Sequence, residues 1–434
     1  MSKRDLYIKA RATSAPTEDW VRPSDWLAMP TGITASDQIF VGLHAVIEDN
    51  DNYVAFLFTT SAGQYEVDWG DGSTPTLHNS NTVAQYQYDF ATVSSSTLTS
   101  RGYKQAIITV TPVSGNLLTC NFQQRFVTSP VQNQAYSTGF LDCILSMPNA
   151  STGSSINLGG NTVRHSYCER FDIKTIGNTS GILGLFSQFR VLQSVPLFDT
   201  SNIADMRSMF SGCILLKSVP LFNTGSVIFT SNMFDSCRSL ITVPLFNTIS
   251  VTAMGNMFAN CSSLKEVPLF DTSNVTTMQG MFNGCQSLKT VPLFNTLSVN
   301  NMTSMFGNCF CLQSIPLFNT SNVTNMNAMF EICASLNSIP ALSTASITTT
   351  SGSDFAGITF NCNSLNRIEM IFARQVDIRN GQLSRDALVE IFTNLVDRSA
   401  TTAANINISG NWGATALSST DRDIALNKNF TITG

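Results

Sequence analysis

The sequence predicts a mainly β protein with short helices, made of a β-sandwich, a solenoid of 24-residue coils and a C-terminal α/β cap. The main observation is a repeat between about Phe186 and Leu342, in which Pro-Leu-Phe and Met-Phe recur every 24 residues. A fixed period of this length is typical of a solenoid, in which neighbouring coils bury each other's apolar faces. Short alternating segments before the repeat predict the sandwich, and a helix pattern flanked by short strands after it predicts the cap.

Each coil combines three local patterns. Leu216, Val219 and Leu221 alternate with polar residues, which predicts a strand with one buried face. Pro220 lies within this strand and donates no ladder hydrogen bond, so we expect the strand to be short or interrupted. The Asn-Thr or Asp-Thr pair that follows is typical of a turn. Apolar residues spaced three and four apart, as in residues 275–285, then predict a short helical return.

A cysteine follows each Met-Phe methionine by four residues. The six are Cys213, Cys237, Cys261, Cys285, Cys309 and Cys333. Stacked strands would place their Cα atoms about 4.8 Å apart, but equivalent side chains point the same way, so we expect buried free thiols rather than disulfides. The odd total of 11 cysteines fits reduced thiols. A metal site that includes Cys309 and Cys311 is the alternative.

The repeat resembles a known family. Residues 270–294, FDTSNVTTMQGMFNGCQSLKTVPLF, resemble the BspA-like leucine-rich repeat of bacterial surface proteins and of many bacteriophage genomes. The coil is short around Val-Pro-Leu-Phe, as in the phage version, and the resemblance covers about residues 180–370. It implies interaction at an extracellular or virion surface without enzymatic activity, and it gives no motif residues for a named ligand.

Residues 38–128 are predicted to form the sandwich, because several short alternating segments follow one another there. The motif at residues 67–73, Val-Asp-Trp-Gly-Asp-Gly-Ser, is similar to that of PKD-type immunoglobulin-like domains, which implies an immunoglobulin-like sandwich of about 90 residues. Asp49, Asp51, Asp68 and Asp71 could bind calcium, but the EF-hand spacing is absent and we expect them to stabilise turns.

The remaining segments complete a division into five parts. They are an N-terminal docking arm (1–37), the PKD-like sandwich (38–128), degenerate coils that cap the solenoid (129–185), the leucine-rich-repeat solenoid (186–370) and the C-terminal cap (371–434). Trp20 and Trp26 in the arm are expected to dock, either onto the next domain or onto another subunit. A five-residue insertion is expected between residues 348 and 360, and Ser384 is the expected N-cap of a helix.

Composition excludes several functions. The net charge is -5 and only 12% of residues are charged, which excludes a nucleic-acid footprint. No apolar run reaches 18 residues. The first residues carry charges without an apolar core behind them, so we expect no secretory signal, and lysis by a phage is one route out of the cell.

The sequence carries no catalytic motif. His44, His78 and His165 lack partners at motif spacing, and Asp199 and Asp271 occupy equivalent positions three coils apart. We therefore expect neither an enzyme nor a bound cofactor or metal.

The predicted strand face is the candidate binding surface. Its first exposed set of equivalent residues is Lys217, Ile241, Lys265, Lys289, Gln313 and Asn337, and its second is Ser218, Thr242, Glu266, Thr290, Ser314 and Ser338. Such a polar, weakly basic face suits an extended host-surface glycan or protein, with Lys217, Lys265, Lys289 and Gln313 as candidate contacts. The alternative is that these side chains are merely solvated.

The interpretation is a bacteriophage virion protein, namely a tail fibre, head fibre or capsid decoration subunit. Its arm and sandwich would contact other virion proteins and its solenoid would bind the host, with self-association left open. A cellular adhesin of the same repeat family is the alternative, and a depolymerising enzyme is the third hypothesis.

Overall fold

The computed structural model describes residues 21–48, 52–124, 126, 136–137, 139–150, 156–160, 163–164, 167–177, 179, 182–347 and 358–434. The fold is mainly β with few short helices and contains a β-solenoid of about ten turns. The chain divides into two compact units, Met1–Ser226 and Val227–Gly434, which are described separately below. Trp20, Asp49, Asp51, His165 and most of the predicted insertion (348–357) lie outside the described residues.

The first unit is built on one connected sheet. Its strands are β1 (Ile39–Val46), β2 (Tyr53–Asp68), β3 (Thr76–Asn79), β4 (Thr82–Gln87), β5 (Lys104–Asn121), β7 (Phe140–Ser146), β8 (Ile156–Asn157) and β10 (Arg170–Thr175). The order is β10-β7-β1-β5-β2-β3, with β4 beside β2 and β8 beside β5. A separate pair joins β6 (Tyr136–Ser137) to β9 (Val163–Arg164), and a 3-10 turn spans Ser95–Thr97. The predicted sandwich of two sheets is not confirmed, because hydrogen bonds link all eight strands into a single sheet.

The Val-Asp-Trp-Gly-Asp-Gly motif forms the β2–β3 connection. Strands β2 and β3 pair antiparallel with Val67 opposite Thr76, and Gly70 and Gly72 have positive φ angles of 73° and 89°. Trp69 is 1% exposed and stacks on Tyr86 with ring centroids 4.8 Å apart. A buried indole that also donates to the Thr76 hydroxyl at 2.9 Å stabilises this hairpin.

The sheet changes from antiparallel to parallel at β7. This strand pairs antiparallel with β1 on one side and parallel with β10 on the other. Beyond β10, Arg170 forms a parallel bridge with Ser194, which lies in the first clear coil. Strand β7 therefore connects the antiparallel sheet to the parallel stacking of the coils, and residues 140–146 belong to the same sheet as residues 39–121.

Trp26 of the predicted docking arm packs against its own unit. Its side chain is 5% exposed, lies in a cluster with Leu43 and Leu141, and donates from Nε1 to the Tyr103 hydroxyl at 2.7 Å. Arg22 reinforces this contact through an ion pair of 2.9 Å with the buried Asp142. Of the two docking targets expected for the arm, Trp26 contacts the adjacent sheet of its own unit.

The coils of the second unit do not contain the predicted helical return. In a helix, each amide would donate to the carbonyl four residues earlier. Here, some amides donate to a carbonyl of the next coil and others to the carbonyl three residues earlier. The Phe282 amide donates to the Met305 carbonyl of the next coil at 2.9 Å, whereas the Cys285 amide closes a turn on the Phe282 carbonyl at 3.0 Å. Gly280 and Gly284 have positive φ angles of 59° and 77°, which no right-handed helix allows. The helix prediction was wrong because these positions form left-handed turns, which glycine and asparagine favour and which Ala328 and Ile332 also adopt in a later coil.

Three buried sets of equivalent residues stack between coils. The Phe258 and Phe282 rings lie 5.8 Å apart and nearly parallel, at 5°. The Cys285 thiol donates to the Phe258 carbonyl at 3.1 Å, and the Thr272 hydroxyl donates to the Asn295 carbonyl at 2.7 Å. All six repeat cysteines are free and buried, as predicted. Each coil therefore bonds to its neighbours through both backbone and side-chain donors.

The second unit ends in a small α/β arrangement. Strand β11 (Ser338–Ile339) pairs with β12 (Arg367–Ile368) 29 residues later, which agrees with the predicted five-residue insertion. Strands β13 (Val376–Asp377), β14 (Ala404–Asn407) and β15 (Phe430–Thr433) form a parallel sheet beside α1 (Arg385–Asn394) and α2 (Ser419–Leu426), with a 3-10 turn at Ala414–Ala416. Ser384 caps α1 by accepting from the Ala387 amide, as predicted. That this arrangement acts as a cap stays a prediction. None of the helices in the described ranges is long and apolar enough to cross a membrane.

Candidate binding face

In the coils of the second unit, the candidate binding residues directly precede two buried anchors. In one coil, Val267 is 8% and Phe270 is 2% exposed, so both side chains point into the core. Lys265 and Glu266 precede the first anchor, and both are exposed. We call a set of equivalent residues in successive coils a column, and the one that contains Lys265 the lysine column.

Inter-coil backbone hydrogen bonds lie along the lysine column of the second unit. The Lys265 amide donates to the Ile241 carbonyl at 3.1 Å, and the Gln313 amide donates to the Lys289 carbonyl at 2.9 Å. The Asn337 amide then donates to the Gln313 carbonyl at 3.2 Å. The side chains of Lys265, Lys289 and Gln313 are exposed. Adjacent backbones in such a parallel arrangement lie about 4.8 Å apart, so these side chains form a closely spaced row.

Lys217, the fourth candidate contact, belongs to the first unit. Its side chain is half-buried, and Ser218 beside it is exposed. The Lys217 side chain is therefore less accessible to a ligand than those of Lys265 and Lys289, which are exposed.

The leucine of Pro-Leu-Phe is exposed, contrary to the alternation in the sequence. Leu269 is 59% exposed, although the pattern predicted a third buried position in the strand. The Phe270 amide bonds the Pro268 carbonyl at 3.0 Å, which closes a tight turn centred on Leu269. This turn interrupts the strand at the proline, as expected, and it rotates the leucine outward and the phenylalanine inward. The same bond occurs at Phe246, Phe294 and Phe318.

The resulting leucine column was missed by sequence analysis. Its members in the second unit are Leu245, Leu269, Leu293 and Leu317, which are 58–61% exposed. Leu197 and Leu221 occupy the same position in coils of the first unit and are 63% and 60% exposed. The signal that could have found it is the phenylalanine after each leucine, because two successive residues of a strand cannot both face the core.

In the described part of the chain, the carboxylates that were catalytic or calcium candidates stabilise turns. The Ser273 amide donates to Asp271 at 3.0 Å and lowers the pKa of that carboxyl group, and Ser201 does the same for Asp199. Asp68 accepts from the Gly70 amide at 2.9 Å. Among the described residues, no three His, Cys, Asp or Glu side chains lie together in a way that could hold a metal ion.

The other candidate residues from the sequence make packing and hydrogen-bond contacts within the first unit. His44 is fully buried, accepts from the Gly139 amide and stacks on Tyr88. His78 stacks on Tyr65, and burial lowers its pKa. Asp71 accepts from the Tyr86 hydroxyl at 2.7 Å within the hairpin. None of these contacts indicates a catalytic arrangement.

A family model described as "Mycoplasma protein of unknown function, DUF285" matches residues 158–269 and 240–344. The two matches together cover less than half of the chain and coincide with its coils. Comparison with curated proteins gives no match.

Solved structures give weak likenesses. A leucine-rich cell surface protein from Faecalibacterium prausnitzii A2-165 is 18% identical, with a TM-score of 0.27 over 71% of this chain and 96% of that one. The plant peptide hormone receptor RGFR1 in complex with RGF2 is 13% identical, with a TM-score of 0.18 over 66% of this chain and 55% of that one. At these TM-scores the likenesses support no argument about function, and the family match shows only that the coils are similar to DUF285 repeats.

Proposed function

We propose that the chain is a non-enzymatic surface-interaction protein whose coils bind an extended polymer, glycan or protein, on an opposing surface. The observation that carries this proposal is the lysine column, in which Lys265, Lys289 and Gln313 are exposed and occupy equivalent positions in three successive coils. A row of side chains one coil apart favours a linear ligand, because successive units of the ligand can contact successive coils.

The charges along the column favour an acidic ligand. Lys265 and Lys289 occupy adjacent coils, and the positions that follow them in the column, Gln313 and Asn337, are neutral donors and acceptors. Glu266 offsets part of the charge beside Lys265, so Lys289 is the stronger attraction for an anionic group. An acidic glycan would place a carboxylate or phosphate near the lysines and hydroxyl groups near the amides.

The test is a double variant, Lys289→Glu with Gln313→Glu, assayed for adsorption to host cells and for binding to acidic and neutral envelope polysaccharides. Binding to the acidic polymer should weaken about tenfold or more, because two attractive contacts become repulsive. The matched control is Thr276→Glu with Asn300→Glu, exposed residues of a different column in adjacent coils. Equal binding by the column variant and the control, with both folded, would exclude the lysine column as the site.

The proposal also states which particle or cell displays the solenoid. The resemblance of residues 270–294 to phage-type repeats favours the surface of a virion, as tail fibre, head fibre or capsid decoration, with the arm and N-terminal sheet contacting other virion proteins. A cellular surface adhesin is the alternative. Mass spectrometry of purified virions should detect the chain, whereas its presence on uninfected cells after surface fractionation would favour the adhesin.

The absence of catalysis is part of the same proposal. Incubation of the purified protein with host envelope glycans should leave polymer length unchanged. Shortened chains would favour the third hypothesis, a depolymerising enzyme.

A further inference from the structure

We propose that the leucine column of the second unit binds a second copy of this chain, aligned parallel to the first. The inference goes beyond the proposed function, because it concerns assembly rather than the ligand. Its basis is the row formed by Leu245, Leu269, Leu293 and Leu317, each 58–61% exposed.

The row is unusual for a surface. Single exposed leucines are common, but contiguous apolar rows mark interaction surfaces. Each leucine lies at the centre of a tight turn between buried anchors, and this geometry holds it outward in every coil. Ile249 and Leu297, which are 52% and 54% exposed, widen the row on the side of the following turn. The coil geometry therefore builds an apolar strip four coils long.

The spacing of the strip suits a second copy of the chain. Coils stacked through parallel backbone hydrogen bonds place equivalent residues about 4.8 Å apart. A second copy has the same spacing by symmetry, so all four leucines can meet equivalent leucines at once. Any other partner would have to match this spacing independently.

Charges beside the strip determine the orientation. Lys265 and Lys289 precede the leucines in their coils, and Asp271 follows Leu269. A two-fold axis along the stack brings the preceding side of one copy against the following side of the other, so Lys265 lies on the same side of the interface as Asp271 of the second copy. A two-fold axis across the stack instead places Lys265 opposite Lys289 of the second copy. Like charges across an interface destabilise it, so the parallel arrangement is favoured.

The same geometry makes assembly compete with ligand binding. In the parallel arrangement, Lys265, Lys289 and Gln313 of the lysine column face the second copy, so a ligand bound to this column competes with association. Variants of the leucines and of Asp271 test association, because these residues lie outside the lysine column.

The first experiment measures the mass of the full chain over a range of concentrations by light scattering and sedimentation velocity. The parent should form a dimer or a higher cyclic oligomer, and Leu269→Ser with Leu293→Ser should raise the dissociation constant at least tenfold. The control is Leu77→Ser with Leu426→Ser, exposed leucines outside the strip (56% and 51%), which should associate like the parent. A parent that stays monomeric at all concentrations overturns the proposal.

The second experiment tests the orientation by charge reversal. Lys265→Asp and Asp271→Lys should each weaken association, and the double variant should restore it, because the pair is re-formed with opposite signs. In the crossed arrangement, Lys265→Asp would strengthen association by facing Lys289, which would overturn the parallel geometry.

The third experiment uses cross-linking. With the exposed Cys311 changed to Ser and oxidised glutathione added as oxidant, Leu269→Cys should form a disulfide with itself in a second copy, because equivalent leucines meet at a parallel axis. A disulfide that forms only when Leu269→Cys is mixed with Leu293→Cys indicates the crossed arrangement. Two other results would overturn the proposal. Leucine variants that associate normally but no longer adsorb to host cells would assign the strip to the ligand. Leucine variants that associate normally but no longer float with phospholipid vesicles would assign it to a lipid surface.

Discussion

The N-terminal sheet and the coils of the second unit both bury phenylalanines, but they arrange the rings differently. In the sheet, Phe40 meets Phe122 at 63° and Phe140 at 89°, the edge-to-face geometry that aromatic pairs prefer. In the coils, Phe258 and Phe282 are nearly parallel, at 5°, and their ring centroids lie 5.8 Å apart. Repetition of the backbone imposes one orientation on every ring of a column, whereas each ring in the sheet has its own.

The difference determines how far a defect spreads. A residue of the sheet has a unique set of neighbours, so its loss leaves one cavity. A coil residue contacts its equivalents on both sides, and the backbone bonds that join the coils lie beside it. We therefore expect substitutions in the sheet to act locally and substitutions in a column to affect the two adjacent coils as well.

The largest effects are expected for Trp69→Ala in the N-terminal sheet and for Phe282→Ala in the coils. Each should lower the free energy of unfolding by about 3–5 kcal/mol, because each removes a fully buried aromatic side chain. Chemical denaturation measures the loss and hydrogen exchange locates it. Faster exchange should stay within the hairpin for Trp69→Ala but reach the Phe258 and Phe306 amides for Phe282→Ala. Exchange confined to one coil would contradict the comparison.

The coils should also be sensitive to alkaline pH. Burial raises the pKa of the Cys309 thiol to about 12 and holds that of Cys285 well above its usual value. The folded thiols keep their protons above pH 9 while the unfolded thiols lose theirs, so this stability is complete below the unfolded pKa and is lost as pH rises toward the folded pKa. The expected loss is about 1.4 kcal/mol per pH unit for each such thiol.

Denaturation curves of the second unit between pH 8 and pH 11 measure this loss. Cys309→Ala should show a shallower decline than the parent. Equal slopes for the two proteins would mean that the thiol is ionisable in the folded coils.

Gly284→Ala tests the left-handed turns of the return segment. Gly284 has a φ of 77°, and a Cβ there would lie 2.8 Å from the Asn260 Oδ1 atom. We expect a loss of about 1–2 kcal/mol from the strained backbone. Gly255→Ala is the control, since its Cβ would meet nothing closer than 3.6 Å, and it should stay within about 0.5 kcal/mol of the parent. Similar melting by both variants would contradict the turn geometry.

The smallest effect concerns Cys261. An unpaired hydroxyl in an apolar core costs about 1–3 kcal/mol, so the sequence predicts that Cys261→Ser is worse than Cys261→Ala. The structure reverses this order, because the thiol donates to the Phe234 carbonyl at 3.1 Å and a serine hydroxyl can take over that bond. We expect Cys261→Ser to be at least as stable as Cys261→Ala. Thermal melts of both variants decide the order.

Local patterns in the sequence determined much of this protein. The 24-residue period, the buried cysteines and the Ser384 cap follow from periodicity and capping chemistry, which depend on residues close in the chain. The lysine column also follows from the period, since equivalent residues of stacked coils must be adjacent.

Only the tertiary structure decided the conformation within each coil. The return segment has the apolar spacing of a helix, but its amides bond to carbonyls of the next coil, and those partners lie 23 residues away. Leu269 has the alternation of a buried strand residue, but the Pro268–Phe270 bond turns it outward. The sequence left open whether Trp26 docks onto the next domain or onto another subunit, and the structure places it in a cluster with Leu43 and Leu141. Backbone groups and side chains take the partners that folding brings near them, and a pattern of neighbouring residues does not contain those partners.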